Sequence, residues 1–408
     1  MAAELKRGAR LALVVLTGLN LLNYFDRYVL AAVLPKLQVD LQLSNFEAGL
    51  AGGAFMLGYC AFSPLFGWLG DRRPRRLLIA TAVGLWSVAT AGASLARGFG
   101  SLFGLRTFVG VGEAGYATLS PTLIDDFAPP GGTNRWLSVF YVAIPVGSAM
   151  GYALGGAMEH AWGWRLAFLA AGIPGLLLAA SVMALREPAR SASSKDGAKG
   201  YGQLLRLPVY VTLVLGLAAY TFAIGGFAFW APKYVVDRFA MPLGRADLLF
   251  GAVTASAGIV GTLLGGYLGE RWPGRTLLAR LLFFSGASSL LAAPAAAVAL
   301  LWPTVAGPLP FFIWLGVAEL FLFASTSPIN TAILHAVPEG MRAGAMAASI
   351  LAMHVGGDLL SPPLIGLFAD RLGMRLALSA LPVAIALSFV FWIWAGQLAR
   401  GEREPSAG

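Results

Sequence analysis

The sequence predicts an all-α membrane protein of twelve transmembrane helices, arranged as two pseudo-symmetric six-helix bundles. Three observations carry that expectation. The 408 residues are 58% hydrophobic and 12% charged, with a mean hydropathy of +0.73. Twelve apolar stretches are long enough to cross a bilayer. A ten-residue segment also recurs, without gaps, 199 positions along the chain.

The charged share is half of the ~25% usual in a soluble domain. A water-soluble fold of this length has too little interior to hide so much apolar surface, so lipid must be the solvent for most of it. The single cysteine, Cys60, excludes an internal disulfide or a multi-cysteine metal site and reads as a small hydrophobe within a helix. Histidines at 160, 335 and 354 are too scattered for a metal site. No metal or cofactor is expected.

A membrane-crossing helix needs ~20 apolar residues. The chain divides into such stretches at 11–35, 45–69, 77–97, 100–126, 136–158, 165–185, 208–231, 245–269, 276–299, 309–335, 343–369 and 376–398. The first is too long for a signal-peptide core and lacks an Ala-x-Ala exit, so it is read as a retained helix. Between the sixth and seventh lies the longest polar stretch, from Arg186 to Arg206, with linker composition. The expected organisation is an N-terminal bundle over 1–186, a cytoplasmic linker over 187–207 and a C-terminal bundle over 208–408.

Loop charges set the orientation. With both termini inside, 19 lysines and arginines fall in inner segments and 8 in outer ones. The excess favours cytoplasmic termini. It also accounts for the net charge of +9 without a nucleic-acid partner. The dominance of Arg over Lys, with abundant Ala and Gly, hints at a GC-rich bacterial source and hence a bacterial inner membrane. A monomer is expected.

The repeat is found first in Gly67-Trp68-Leu69-Gly70-Asp71-Arg72-Arg73-Pro74-Arg75-Arg76 and Gly266-Tyr267-Leu268-Gly269-Glu270-Arg271-Trp272-Pro273-Gly274-Arg275. A second pair supports it. Pro121 precedes Arg135 by fourteen residues, and Pro328 precedes Arg342 by fourteen. Two matched pairs imply duplicated halves. Gly67-x-Leu69-x-Asp71-Arg72 with its basic run resembles the loop 2–3 signature of the major facilitator superfamily, departing from it at Pro74. Arg106-Thr107-Phe108-Val109-Gly110-Val111-Gly112-Glu113-Ala114 resembles the helix 4 motif of the same superfamily. The resemblance implies parallel six-helix repeats around a central cavity and a gating latch on Asp71, Arg72, Arg76, Glu270 and Arg271. Asp71 can face a helix N-terminus or an arginine. Alternatively, the arginines only fix topology, and for Arg73, Arg75 and Arg76 taken singly that reading is preferred.

Ionisable groups in mid-membrane cost ~2.5–3.5 kcal/mol each on insertion scales, so those present ask for a reason. Asp26, Glu113, Glu319 and Asp358 fall at comparable depths in helices 1, 4, 10 and 11 and are read as proton-coupling groups. Burial disfavours a charged carboxylate and a nearby arginine favours it. Such a pair can respond to which side is open. Asp26 and Arg27 are adjacent, about 100° apart on a helix, so the expected pair is Arg27 with Glu113 across helices. A static ion pair that holds helices 1 and 4 in register is the alternative. Arg106, on the Glu113 face, is read as a binding residue or a second latch. His354 and Asp358 share a face, as a proton relay or as a hydrogen-bonded pair against helix 10. Tyr24, Tyr28, Tyr116, Phe227 and Trp230, together with Arg27, Arg106 and His354, are the candidate substrate contacts; packing or interface anchoring is the competing reading for the aromatics. Gly147, Gly151 and Gly155 recur every four residues and allow close helix approach.

Asn23-Tyr24-Phe25-Asp26-Arg27-Tyr28 with Pro35 is similar to the first helix of spinster-type transporters. The run His354-Val355-Gly356-Gly357-Asp358-Leu359-Leu360-Ser361-Pro362 is similar to their helix 11. That resemblance implies an amphipathic, lysolipid-like or sphingolipid-like substrate with proton coupling, and Arg27 or Arg106 meeting a phosphate. A sugar-acid:cation symporter and a drug:proton antiporter are the alternatives. An enzyme or ATP-driven pump is not expected: the chain lacks a phosphate-binding Gly-x-x-x-x-Gly-Lys-Ser/Thr loop, a His-Glu-x-x-His pair and a Gly-x-Ser-x-Gly elbow.

Overall fold

The computed structural model describes residues 2–70, 72–129, 133–185, 201–302, 307–338 and 341–401. Among them the structure is all-helical. Helices α1 to α6 are Ala2–Asp40, Asn45–Gly70, Arg75–Ala93, Phe99–Phe127, Thr133–Trp162 and Trp164–Met183. Helices α7 to α9 are Pro208–Phe239, Leu243–Arg271 and Leu277–Leu301. α10 runs as Pro308–Ala324 continued by Thr326–His335. α11 is Arg342–Met353, a π-helical turn His354–Asp358, and Ser361–Leu372. α12 is Met374–Ala377 followed by Ala380–Gly401. Eleven of the twelve are apolar enough to span a membrane by composition alone. The exception is α4, which carries Arg106, Glu113, Asp125 and Asp126 and buries about half of its residues in protein. Large apolar side chains such as Val14, Leu177, Leu263 and Leu309 are two-thirds or more exposed, as expected of a surface that meets lipid. This is a multi-pass membrane protein.

The chain forms two compact units, Met1–Ser193 with Phe229–Gly251, and Ser194–Ala228 with Ala252–Gly408. In the first, α1 packs on α5 and α6, α2 on α4, and α3 on α4 and α6. In the second, α7 meets α11 and α12 at Gly357, Gly226 and Gly216, α8 meets α10 at Gly261 and Gly265, and α9 meets α10 and α12. Each neighbour pair of the first unit thus recurs six helices later. The repeat extends to single side chains. Arg72 stacks on Trp68 at 4.3 Å and donates to its carbonyl; Arg271, 199 residues on, stacks on Tyr267 at 3.8 Å and does the same.

Glycines set the registers. A methyl group at Gly147, Gly151 or Gly155 would run into Leu21, Phe25 or Val29 and Ala32 of α1 respectively. The four-residue spacing on α5 therefore meets a four-residue spacing on α1, a seam of close backbone approach. The α2–α4 crossing is tighter. A methyl at Gly58 would collide with the carbonyl of Thr107, and one at Gly110 with the backbone of Phe55. Backbone cannot step aside as a side chain can. Gly110→Ala is expected to lie at or beyond the upper end of the ~1–3 kcal/mol typical of overpacking. A melting curve in detergent checks this, and Gly104→Ala, with open space around it, serves as the control.

Local breaks also have causes. Pro328 has no N–H for the carbonyl of Ala324, and α10 is interrupted at Ser325. The Tyr220 hydroxyl donates to the Leu322 carbonyl at 3.0 Å and meets Thr326 Oγ1 at 3.0 Å, which helps satisfy the break.

Candidate functional site: a buried charge cluster in the first unit

The α1–α5 seam turns Phe25 toward α5. One residue on, about 100° round the helix, Asp26 points to α3 and α4. Arg27, a further ~100° round, faces α2 and α4. Arg27 donates from Nε to Glu113 Oε2 at 2.8 Å, and its Nη2 lies 2.8 Å from the same oxygen. The cross-helix pair read from helical geometry is present. Asp26 accepts a hydrogen bond from Thr90 Oγ1 at 2.5 Å, and Arg106 Nη1 stands 3.9 Å from its other oxygen.

An aromatic wall completes the site. The Arg27 guanidinium lies 4.9 Å from the Tyr24 ring, 5.1 Å from Phe55 and 5.8 Å from Tyr59. Arg106 lies 5.4 Å from Phe55 as well, so one ring contacts both cations. Two acids and two arginines balance in formal charge. Their hydrogen bonding is incomplete: Asp26 Oδ1, Glu113 Oε1, and Arg106 Nε and Nη1 are buried without a partner among the described residues. Exposure separates the four. Asp26 and Glu113 are 0% exposed and Arg106 1%; the Arg27 side chain is 15% exposed. Tyr24 beside it is half-buried; Tyr28, next in the chain and also half-buried, faces α5 and continues into a contact chain through Tyr152 to Phe250.

Several expectations need correction. Asp26 does not line an open chamber; it is sealed among α1, α3 and α4. Arg106 is its buried counter-ion and is not exposed to a ligand. Tyr116 is a core residue: it packs on Trp86 and Phe140 and donates to the Leu16 carbonyl at 2.5 Å. Trp230 and Phe227 are also buried, at 0% and 2% exposure. Arg75 does more than fix topology. It is buried and pairs with Asp126 and Thr122 of α4, so it clamps α3 to α4. Arg76 donates to the Leu185 carbonyl at 2.8 Å, just past the end of α6. Glu270 is exposed, and its carbonyl accepts from Arg280. Asp71 lies outside the described residues, as does most of the 187–207 linker.

The second unit holds the other two acids apart. Glu319 on α10 is 4% exposed and accepts from Thr254 Oγ1 of α8 at 3.0 Å. His354 Nδ1 meets Asp358 Oδ2 at 2.8 Å across the π-turn. That turn packs against α7, not α10. A methyl at Gly225 would lie 2.9 Å from Asp358 Oδ1 and from Ser361 Oγ, and one at Gly357 2.7 Å from Thr221. A π-turn of this kind often marks a functional position. Phe55, Tyr59, Thr90 and Thr254 escaped the sequence reading, because an aromatic or threonine in an apolar helix carries no mark of its partner.

Twelve helices in duplicated halves, with charges sealed inside, define a membrane transporter and not an enzyme. Residues 16–325 match the Major Facilitator Superfamily family model. The chain is 33% identical over 398 residues to the probable sphingolipid transporter spinster homolog 2 of Arabidopsis thaliana, covering 88% of this chain and 80% of the relative. It is 32% identical over 410 residues to protein spinster homolog 1 of Homo sapiens, covering 93% and 76%. The chain belongs to the spinster family of the major facilitator superfamily. Its fold is shared with the crystal structure of a bacterial homolog of the human lysosomal transporter spinster in an inward-facing, unoccupied conformation, at TM-score 0.86 and 23% identity over 98% of this chain and 99% of that one. A D-xylose–proton symporter shares it at TM-score 0.76 and 16% identity, over 93% and 96% of the two chains.

Proposed function

We propose that this transporter works by alternating access, couples to protons through the Asp26–Arg27–Arg106–Glu113 cluster, and moves an amphipathic, anionic lysolipid-like or sphingolipid-like molecule. One observation carries the reading: Arg27 is the partly exposed edge of an otherwise sealed, charge-balanced cluster. An anionic headgroup that reaches Arg27 competes with Glu113 for the guanidinium. Glu113 then stands as a buried carboxylate without its cation, and a proton takes the place of the guanidinium. Run backward, proton loss from Glu113 returns Arg27 to it and releases the headgroup. Asp26 and Arg106 form the layer behind and keep that exchange away from solvent. Tyr24 offers an apolar face beside the cation, and Tyr28, toward α5, a second one farther on, for the start of an alkyl chain. Names of the plant relatives support the lipid class.

Glu319 with Thr254, and His354 with Asp358, are assigned proton-handling roles in the second half. Arg72, Arg76, Glu270 and Arg271, with Asp71, are assigned to the inner latch. Both termini are placed in the cytoplasm of a bacterium, with the chain a monomer in the inner membrane. A thermal-shift screen of the purified protein tests the substrate class. Lysophosphatidylethanolamine should raise the melting temperature of the wild type and leave Arg27→Ala unmoved. Stabilisation by glucuronate or by a cationic dye, and not by the lysolipid, would assign the protein to a sugar-acid or drug transporter instead.

A further inference from the structure

We propose that Asp247 is a separate proton-binding site that locks α8 against α5. Asp247 stands one turn into α8 and plays no part in the charge cluster. It is 0% exposed, and neither of its carboxylate oxygens has a hydrogen-bond partner among the described residues. Its carboxylate is seated on the backbone of α5. A methyl group at Gly156 would collide with Asp247 Oδ2 and come within 3.1 Å of the Gly244 Cα atom. The same seam continues one turn along, where Phe250 meets the Tyr152 ring at 5.0 Å.

The charge that faces it has the same sign. The charged group that acts on it from α5 is Glu159, a second carboxylate, half-buried. His160, next on α5, is exposed, and so is Arg245 on α8. A neutral carboxylic acid fits this contact. An ionised one is an unpaired buried charge beside another acid, which is strongly disfavoured. Proton loss to water therefore drives the seam open until solvent reaches the carboxylate, and proton uptake lets it close. Small residues at Gly156 and Gly244 permit the close packing that excludes water in the closed form.

Paired nitroxide labels can read this without any substrate. Leu154→Cys on α5 and Leu248→Cys on α8 occupy exposed positions and are introduced in a Cys60→Ala background of the full chain in nanodiscs. Pulsed dipolar spectroscopy should show the distance lengthening as pH rises. Asp247→Asn, a permanent mimic of the neutral acid, should hold the short distance at every pH. Glu159→Gln, which removes the like charge, should move the transition to lower pH. The shift should persist in an Asp26→Asn/Glu113→Gln background, which separates this lock from the proposed coupling cluster. An Asp247→Asn variant that still shifts with pH, or a shift lost in the cluster background, would overturn the proposal.

Discussion

Glu113→Ala is expected to destabilise the protein by about 3–5 kcal/mol, the range seen when one partner of a buried ion pair is removed. Arg27 would keep its positive charge against Phe55, Tyr24 and Tyr59 while losing the carboxylate 2.8 Å away. Cation–π contacts replace only part of that, ~0.5–2 kcal/mol. The double variant Arg27→Met/Glu113→Leu removes both charges and leaves apolar groups of similar volume. It should regain most of the loss, because desolvation offsets much of what a buried pair contributes. Melting of wild type, both single variants and the double variant in detergent closes the cycle. Additive losses would mean that the two side chains act independently.

Much of the fold was legible because lipid imposes simple rules. Span length and apolar composition mark helices one at a time, and the match between Gly67–Arg76 and Gly266–Arg275 exposes the duplication. α4 shows the limit of composition: it is long, helical and buried, yet too polar to qualify as a span. Its apolar residues over 100–126 nevertheless mark it as the fourth stretch. The Arg27–Glu113 pair was legible because helical geometry forbids Arg27 from pairing with Asp26. The direction of Asp26 was not. It depends on which stripe of α1 faces α5, and three glycines on a different helix decide that. Tyr116 and Trp230 illustrate a second limit. An aromatic with a polar tip suits both a cavity wall and a core, and only packing separates them. Arg75 shows a third: its partner Asp126 lies at the far end of another helix, so its place in a basic run suggested topology alone. Asp247 passed unnoticed because an acid near a helix start is ordinary in sequence, whereas its burial against Gly156 is not.

Proton coupling through the cluster is the claim on which the functional reading stands. Asp26→Asn/Glu113→Gln keeps the shape of both side chains and removes both protonation sites. It leaves Arg27 and Arg106 charged, so Arg27 should still attract an anionic headgroup while the exchange of proton for headgroup is abolished. Transport of a fluorescent lysophospholipid into proteoliposomes under an imposed pH gradient tests this most directly. The wild type should run faster with the gradient than without it, and the double variant should show the same rate in both conditions. Gradient-driven transport by the double variant equal to that of the wild type would contradict the account.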